Sequence, residues 1–148
     1  MRIAIASDHA AFALKQLLIP WLTAQGHAVE DLGTHGTESV DYPDFGRAVA
    51  RAVADGKADR GVALCGSGIG ISIAANRIAG CRCALVAEPL SASLARQHND
   101  ANVIALGARL IGEEMARACI TAFLATDFEG GRHAPRVAKL GQIEGIPA

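Results

Sequence analysis

The chain has 148 residues, 51% of them hydrophobic and 20% charged, and a formal net charge of −1. That length fits one domain with its own core, the composition excludes a disordered chain, and the near-zero charge argues against a nucleic-acid binder that relies on bulk charge. Any basic site must therefore be local.

No stretch approaches ~18 consecutive apolar residues, and the opening MRIAIASDHAAF carries too short an apolar run for a signal peptide, so a cytoplasmic protein without a membrane segment is expected. The four cysteines (Cys65, Cys81, Cys83, Cys119) form no C-x-x-C pair and no metal-ligand spacing. All but Cys65 read as buried, reduced thiols.

In chain order, Arg2 to Ser7 is an apolar opening strand that ends in the polar group Ser7-Asp8-His9. From Ala10 to Gln25 apolar residues recur at helical spacing, Gly26 supplies the stop, and Pro20 is expected to kink or loosen the helix. Ala28 to Leu32 predicts a second strand and Gly33 to Tyr42 a loop. Pro43 suits the first turn of a helix running to about Asp55. Gly61 to Ile78 reads as strand, glycine loop and helix. A fourth strand is predicted over Arg82 to Ala87 and a helix over Leu90 to His98. A fifth strand over Asn102 to Leu106 and a helix over Glu113 to Ala125 follow. The tail from Thr126 carries GGRHAPR before a last short helix. Strands alternating with helices predict an α/β class: one three-layer α/β/α domain with a five-stranded, mainly parallel, Rossmann-like sheet spanning 1–148.

The chemistry concentrates in GVALCGSGIGISIAANRI, from Gly61 to Ile78. An apolar strand ends at Cys65, and Gly66, Gly68 and Gly70 then alternate with Ser67 and Ile69. A parallel sheet presents its chemistry at the carboxyl ends of its strands. A glycine turn there exposes backbone N–H groups that favour negative charge on Cys65 and on a bound substrate. Rival motifs fit poorly. A P-loop needs a lysine that the loop lacks. The dinucleotide fingerprint needs glycine where Ile71 stands, although Glu88 occupies the place of a ribose-binding acid and keeps that reading open. A cysteine phosphatase loop needs arginine, also at Ile71.

Other polar groups join by position. Asp8 and His9, at the end of the first strand, can approach Cys65. His98-Asn99-Asp100 needs a bend to reach the same edge, and its spacing alone reads as a surface group. Arg132, His133 and Arg136 form a basic cluster, and Arg109 follows the fifth strand; paired arginines suit a phosphate dianion. His27 and His35 read as surface residues.

SDHAAF, DYPDF, CGSGIGISIAANR, ARQHNDANV, LGAR and EGGRHAPR together resemble the ribose-5-phosphate isomerase B family, which includes galactose- and allose-6-phosphate isomerases; the resemblance is colinear from Ile3 to Arg136. It implies a cofactor-free and metal-free aldose–ketose isomerisation of a small sugar phosphate, with no nucleic-acid or membrane partner. Cys65 then matches the base, His98 the ring-opening group, and Gly66, Ser67, Gly68, Ile69 and Gly70 the anion hole, with Ser67 counted among the catalytic residues. Asp8 and His9 match substrate contacts, Asn99 a sugar-hydroxyl contact, and Arg109, Arg132 and Arg136 the phosphate-binding arginines, with Tyr42 and His133 counted among the substrate-binding residues. The family's alternative base, a glutamate early in the next helix, has no counterpart in Ile71 to Ala74. Two departures are Ser67 for a common threonine and Arg77 for a common lysine, each conserving the hydroxyl or the charge. The resemblance further implies a homodimer, or a tetramer built from it, with shared active sites and a segment from about 127 packed on the partner. Hexose-6-phosphate isomerisation and, outside enzymes, phosphosugar binding stand as alternatives.

Overall fold

The computed structural model describes residues 1–145. Five strands, β1 (Arg2–Ser7), β2 (Ala28–Asp31), β3 (Arg60–Cys65), β4 (Cys83–Leu85) and β5 (Val103–Gly107), form one sheet. All pairings are parallel, in the order β2-β1-β3-β5-β4. The helices are α1 (Phe12–Ala24), α2 (Tyr42–Ala54), α3 (Ile69–Ala75), α4 (Pro89–Asn99), α5 (Glu113–Ala125) and α6 (Ala134–Leu140).

Strand periodicity sorts the core into two layers, because successive side chains point to opposite faces. Ile3, Ile5, Val62, Leu64, Ile104 and Leu106 meet α1, α4 and α5 through Leu18, Ala95, Ile120 and Phe123. Ala4, Ala6, Ala63, Cys65 and Ala105 face the other way, toward Val49 and Ala50 of α2 and Ile71 and Ala75 of α3. Large side chains thus fill one layer while alanines let α2 and α3 lie close on the other.

The expected architecture is present, with differences at the start of α1 and in the length of β4. α1 begins at Phe12 because Asp8 caps a 3₁₀ turn over His9–Ala11, its side chain accepting from Ala11 N–H at 3.2 Å. Pro20 lies inside α1 without ending it. Pro20 and Gln16, whose carbonyl the proline leaves without its usual donor, are both exposed, so water can serve that carbonyl. β4 has three residues rather than six. The chain leaves it early because Glu88 turns back to cap α4, taking the N–H groups of Leu90 and Ser91 at 2.7 and 2.8 Å. Both Glu88 carboxylate oxygens are thereby engaged in capping α4.

From β1 the chain moves outward to β2 and then returns to the other side of β1 as β3. The direction of winding therefore reverses between β1 and β3, and their carboxyl ends open the crevice where open α/β sheets bind ligands.

Candidate active site

Cys65 is the last residue of β3 and lies opposite Gly107 of β5. Beyond it the backbone folds back: Gly68 takes a left-handed conformation (φ 76°) and returns its N–H to Cys65 Sγ at 3.1 Å. A side chain at Gly68 would stand 2.9 Å from the Leu106 carbonyl carbon and 3.1 Å from Gly107 N. The loop is thus pressed against the end of β5. Two further bonds carry the ladder past the sheet, Ala108 N–H to the Cys65 carbonyl and Arg109 N–H to the Gly66 carbonyl, both 2.9 Å. They set the Arg109 side chain alongside Gly66. Ser67 Oγ accepts from Ile69 N–H at 3.2 Å.

The β1 side of the crevice is fixed as firmly. Asp8 is buried and its N–H donates to the Leu64 carbonyl at 3.2 Å. His9 Nδ1 accepts from Val40 N–H at 3.1 Å, so the neutral ring carries its proton on Nε2. Behind them Lys15, fully buried, pairs with Asp31 at 2.6 Å. Asp31 in turn accepts from Gly33 N–H at 2.9 Å. The Gly33 carbonyl and Thr34 N–H clasp the backbone of Ser7, each at 2.7 Å. Tyr42, at the start of α2, lays its ring over Gly70, where a side chain's first carbon would meet it at 2.5 Å.

These groups line one cleft of about 650 Å³, a size ordinary for small-molecule sites. Asp8, His9, Tyr42, Cys65, Gly66, Ser67, Ile69, Gly70 and Arg109 all border it. Ala10, Ile73 and Leu110 also line it and were not foreseen, since a lone apolar residue in a helical pattern carries no signal of a ligand. Cys65 is the thiol of this cleft. Cys81 and Cys83 border a different one, and burial pushes the Cys81 thiol up to about 12. Burial raises the Cys83 and Cys119 thiols as well.

The remaining predicted residues are elsewhere. α4 begins near the carboxyl edge of the sheet and runs back, so its 11 residues carry His98 and Asn99 roughly 16 Å toward the amino edge. Asn99 lines a second cleft, of about 420 Å³, with Cys81, Cys83 and Leu140. His98 stacks on His133, ring centroids 4.4 Å apart, while Arg132 and Arg136 stand exposed beside them in sequence. The bend that would bring His98 to Cys65 within one chain is absent. The reason lies in RQHND itself. Arg96, buried, donates to Asp100 at 2.8 Å and to the Ala101 carbonyl at 2.6 Å, and Arg82 donates to the Asp100 carboxylate at 3.2 Å. Arg96 and Asp100 lock the end of α4 and leave His98 and Asn99 to project from it.

The chain therefore holds two sets of polar side chains, one at each end of the sheet. Residues 3–140 match the family model described as Ribose/Galactose Isomerase. The chain is 47% identical to ribose-5-phosphate isomerase B of Escherichia coli over 143 residues, covering 97% of this chain and 96% of that one. It is 46% identical to D-erythrulose-4-phosphate isomerase of Pectobacterium atrosepticum, covering 97% and 95%. The structure of Clostridium thermocellum ribose-5-phosphate isomerase B superposes with a TM-score of 0.95 at 50% identity, covering 97% of each chain.

Fold and relatives together define an enzyme of the aldose–ketose isomerase class acting on sugar phosphates. Within that class the chain belongs to the ribose-5-phosphate isomerase B family. Among the described residues no helix is long and apolar enough to cross a membrane.

Proposed function

We propose that the protein interconverts D-ribose 5-phosphate and D-ribulose 5-phosphate through a cis-enediolate, with Cys65 as the base. The observation that carries this reading is the Cys65 sulfur, which accepts the Gly68 N–H at 3.1 Å in a cleft bordered by Asp8, His9, Ser67 and Arg109. Removing a proton alpha to a carbonyl needs a base and a stabiliser for the oxyanion that forms. The cleft supplies a thiol and a run of loop N–H groups within five residues.

In the proposed sequence His98 passes a proton to the furanose ring oxygen as the C1–O4 bond breaks, the anomeric O1 hydroxyl gives its proton to solvent, which returns one to His98, and the open chain exposes the C1 aldehyde. The Cys65 thiolate removes the C2 proton. The C–H electron pair becomes the C1–C2 double bond, and the carbonyl pair moves onto O1, where the N–H groups of Gly66 to Gly70 hold the charge. O1 is protonated, the O2 hydroxyl loses its proton, the C2 carbonyl forms, and Cys65 returns its proton to C1. Atoms and charge balance, and the product is the 2-ketose.

Within one chain His98 lies at the far edge of the sheet from Cys65. We therefore propose a homodimer in which His98, Asn99, Arg132, His133 and Arg136 of one copy complete the Cys65 cleft of the other. α6 supports this, since it buries none of its residues within the chain. Arg109, from the Cys65 side, and the exposed Arg132 and Arg136 then converge on the phosphate.

A second reading concerns chain length, because one relative is named for a tetrose phosphate and the family description includes galactose. The test is a substrate panel of ribose 5-phosphate, erythrose 4-phosphate, allose 6-phosphate and galactose 6-phosphate. Ribose 5-phosphate should have the highest kcat/KM. A better tetrose or hexose phosphate would replace the pentose assignment, and a Cys65→Ala protein that still turned over would remove the base.

A further inference from the structure

Three metal-ligating side chains meet at the amino end of the sheet, though no ligand spacing in the sequence announces them. His98, Glu129 and His133 each offer a donor atom, and these atoms lie within 4.8 Å of one another. His133 is only 7% exposed, and its buried Nε2 has no hydrogen-bond partner. Glu129 Oε2 stands 3.4 Å away without making a hydrogen bond. A buried imidazole nitrogen left unpaired is costly, and such a group calls for an occupant.

One edge of a coordination shell is already present at that nitrogen. Ligands about 2.0–2.1 Å from a tetrahedral zinc are roughly 3.3–3.5 Å from one another. The separation of His133 and Glu129 already matches such an edge. The His98 ring is stacked on His133, planes 13° apart, so His98 must turn out of the stack for both ring nitrogens to point at one ion. Glu129 is anchored to the same helix as His98, its N–H donating to the Gln97 carbonyl at 3.1 Å, while its half-exposed carboxylate is free to swing. Two imidazoles and a carboxylate suit zinc and its neighbours in the first transition row rather than magnesium or calcium, which prefer all-oxygen shells.

We propose that His98, Glu129 and His133 bind one Zn²⁺ per chain and that binding reversibly inhibits turnover. Coordination occupies the lone pair through which His98 handles the ring proton, an effect that rests on the role proposed for His98 above. The remaining coordination position is left to water.

The test uses the full-length, metal-stripped protein, titrated calorimetrically with ZnCl₂ and with MgCl₂, alongside turnover of ribose 5-phosphate at each Zn²⁺ concentration. One Zn²⁺ per chain and no Mg²⁺ binding are expected. Glu129→Gln should weaken Zn²⁺ at least ~10-fold and move the inhibition curve, measured relative to the variant's own metal-free turnover, by the same factor. Cys65→Ala should bind Zn²⁺ like the wild type. Absence of stoichiometric binding, an unweakened Glu129→Gln, or binding lost in Cys65→Ala instead would each overturn the site. Binding with undiminished turnover overturns the inhibitory role. A protein that binds Zn²⁺ at the trio yet isomerises no sugar phosphate refutes the enzymatic reading and leaves the site standing.

Discussion

Replacing Gly68 by alanine tests whether the loop is held by sterics at the point where it serves the thiol. Two costs are separable. A non-glycine residue in the left-handed region costs about 1–2 kcal/mol. The new carbon would also stand 2.7 Å from Leu85 Cδ1 and 2.9 Å from the Leu106 carbonyl carbon. Leu85 is exposed and can move aside; the β5 backbone cannot, and such overpacking costs about 1–3 kcal/mol more. The sum, about 2–5 kcal/mol, is below the stability typical of a domain, so the variant folds with Tm lowered by roughly 4–20 °C. Gly56 provides the control. Its φ of 75° nearly equals that of Gly68, and nothing lies within 4 Å of its missing side chain. Gly56→Ala should therefore show the backbone cost alone. Thermal unfolding of both variants, with turnover measured on each, gives the collision by difference. Gly68→Ala should lose most activity as its N–H is displaced from Cys65, while Gly56→Ala keeps it. Equal Tm shifts with activity intact in both would refute the steric account.

Other outcomes follow from the same geometry. If each site takes Cys65 from one copy and His98 from the other, mixing inactive Cys65→Ala and His98→Asn homodimers under exchange restores one intact site per mixed dimer. Random exchange should recover about a quarter of wild-type activity; no recovery would place both residues in one chain's site. His98→Asn alone should impair ribose 5-phosphate far more than erythrose 4-phosphate, whose esterified O4 cannot close a five-membered ring, and equal losses would remove the ring-opening role. Arg2 bonds Asp59 through Nη2 at 2.9 Å and through its backbone N–H at 2.7 Å, and these bonds, the side-chain one foremost, lower the Asp59 carboxyl from 3.8 to about 2. A depressed carboxyl contributes stability that is present above the unfolded value and lost as pH falls through about 2. Arg2→Gln should raise the Asp59 midpoint toward 3.8 by NMR titration, and an unmoved midpoint would assign the shift elsewhere.

The architecture was legible because its signals are local. Apolar runs such as RIAIAS and RGVALC are buried on both faces and cannot be solvent-facing strands. The Cys65 side of the cleft was legible for the same reason, since Asp8, His9 and Cys65 end strands that a parallel sheet must align. Features set by tertiary placement were not. Pro20 reads as a kink or loosening of the first helix, and that Gln16 faces water shows only in the fold. Glu88 leaves a ribose contact open in the sequence, and its capping of α4 shows only in the fold. RQHND reads as one motif, yet Arg96 and Asp100 hold the helix end while His98 and Asn99 project from it. Glu129 carried no signal at all, because its relation to His98 depends on how the tail packs against α4.

The separation of the two polar sets has a topological cause. An open sheet in which β1 and β3 mark the reversal of winding has its crevice at their carboxyl ends, and a helix that follows a strand must run back the other way. Residues at the end of α4 are therefore carried away from the crevice however strongly the chemistry needs them. A second copy is the direct remedy on the dimer proposed above. The surface near the crevice supports that remedy: Ile69, Ile73, Leu85 and Leu110 are 50%, 61%, 44% and 68% exposed. Four such side chains around a polar cleft are poorly suited to water but well suited to the rim of a subunit contact. Covering them would bury apolar area and exclude water from Cys65 in the same step, so assembly and catalysis would depend on one surface.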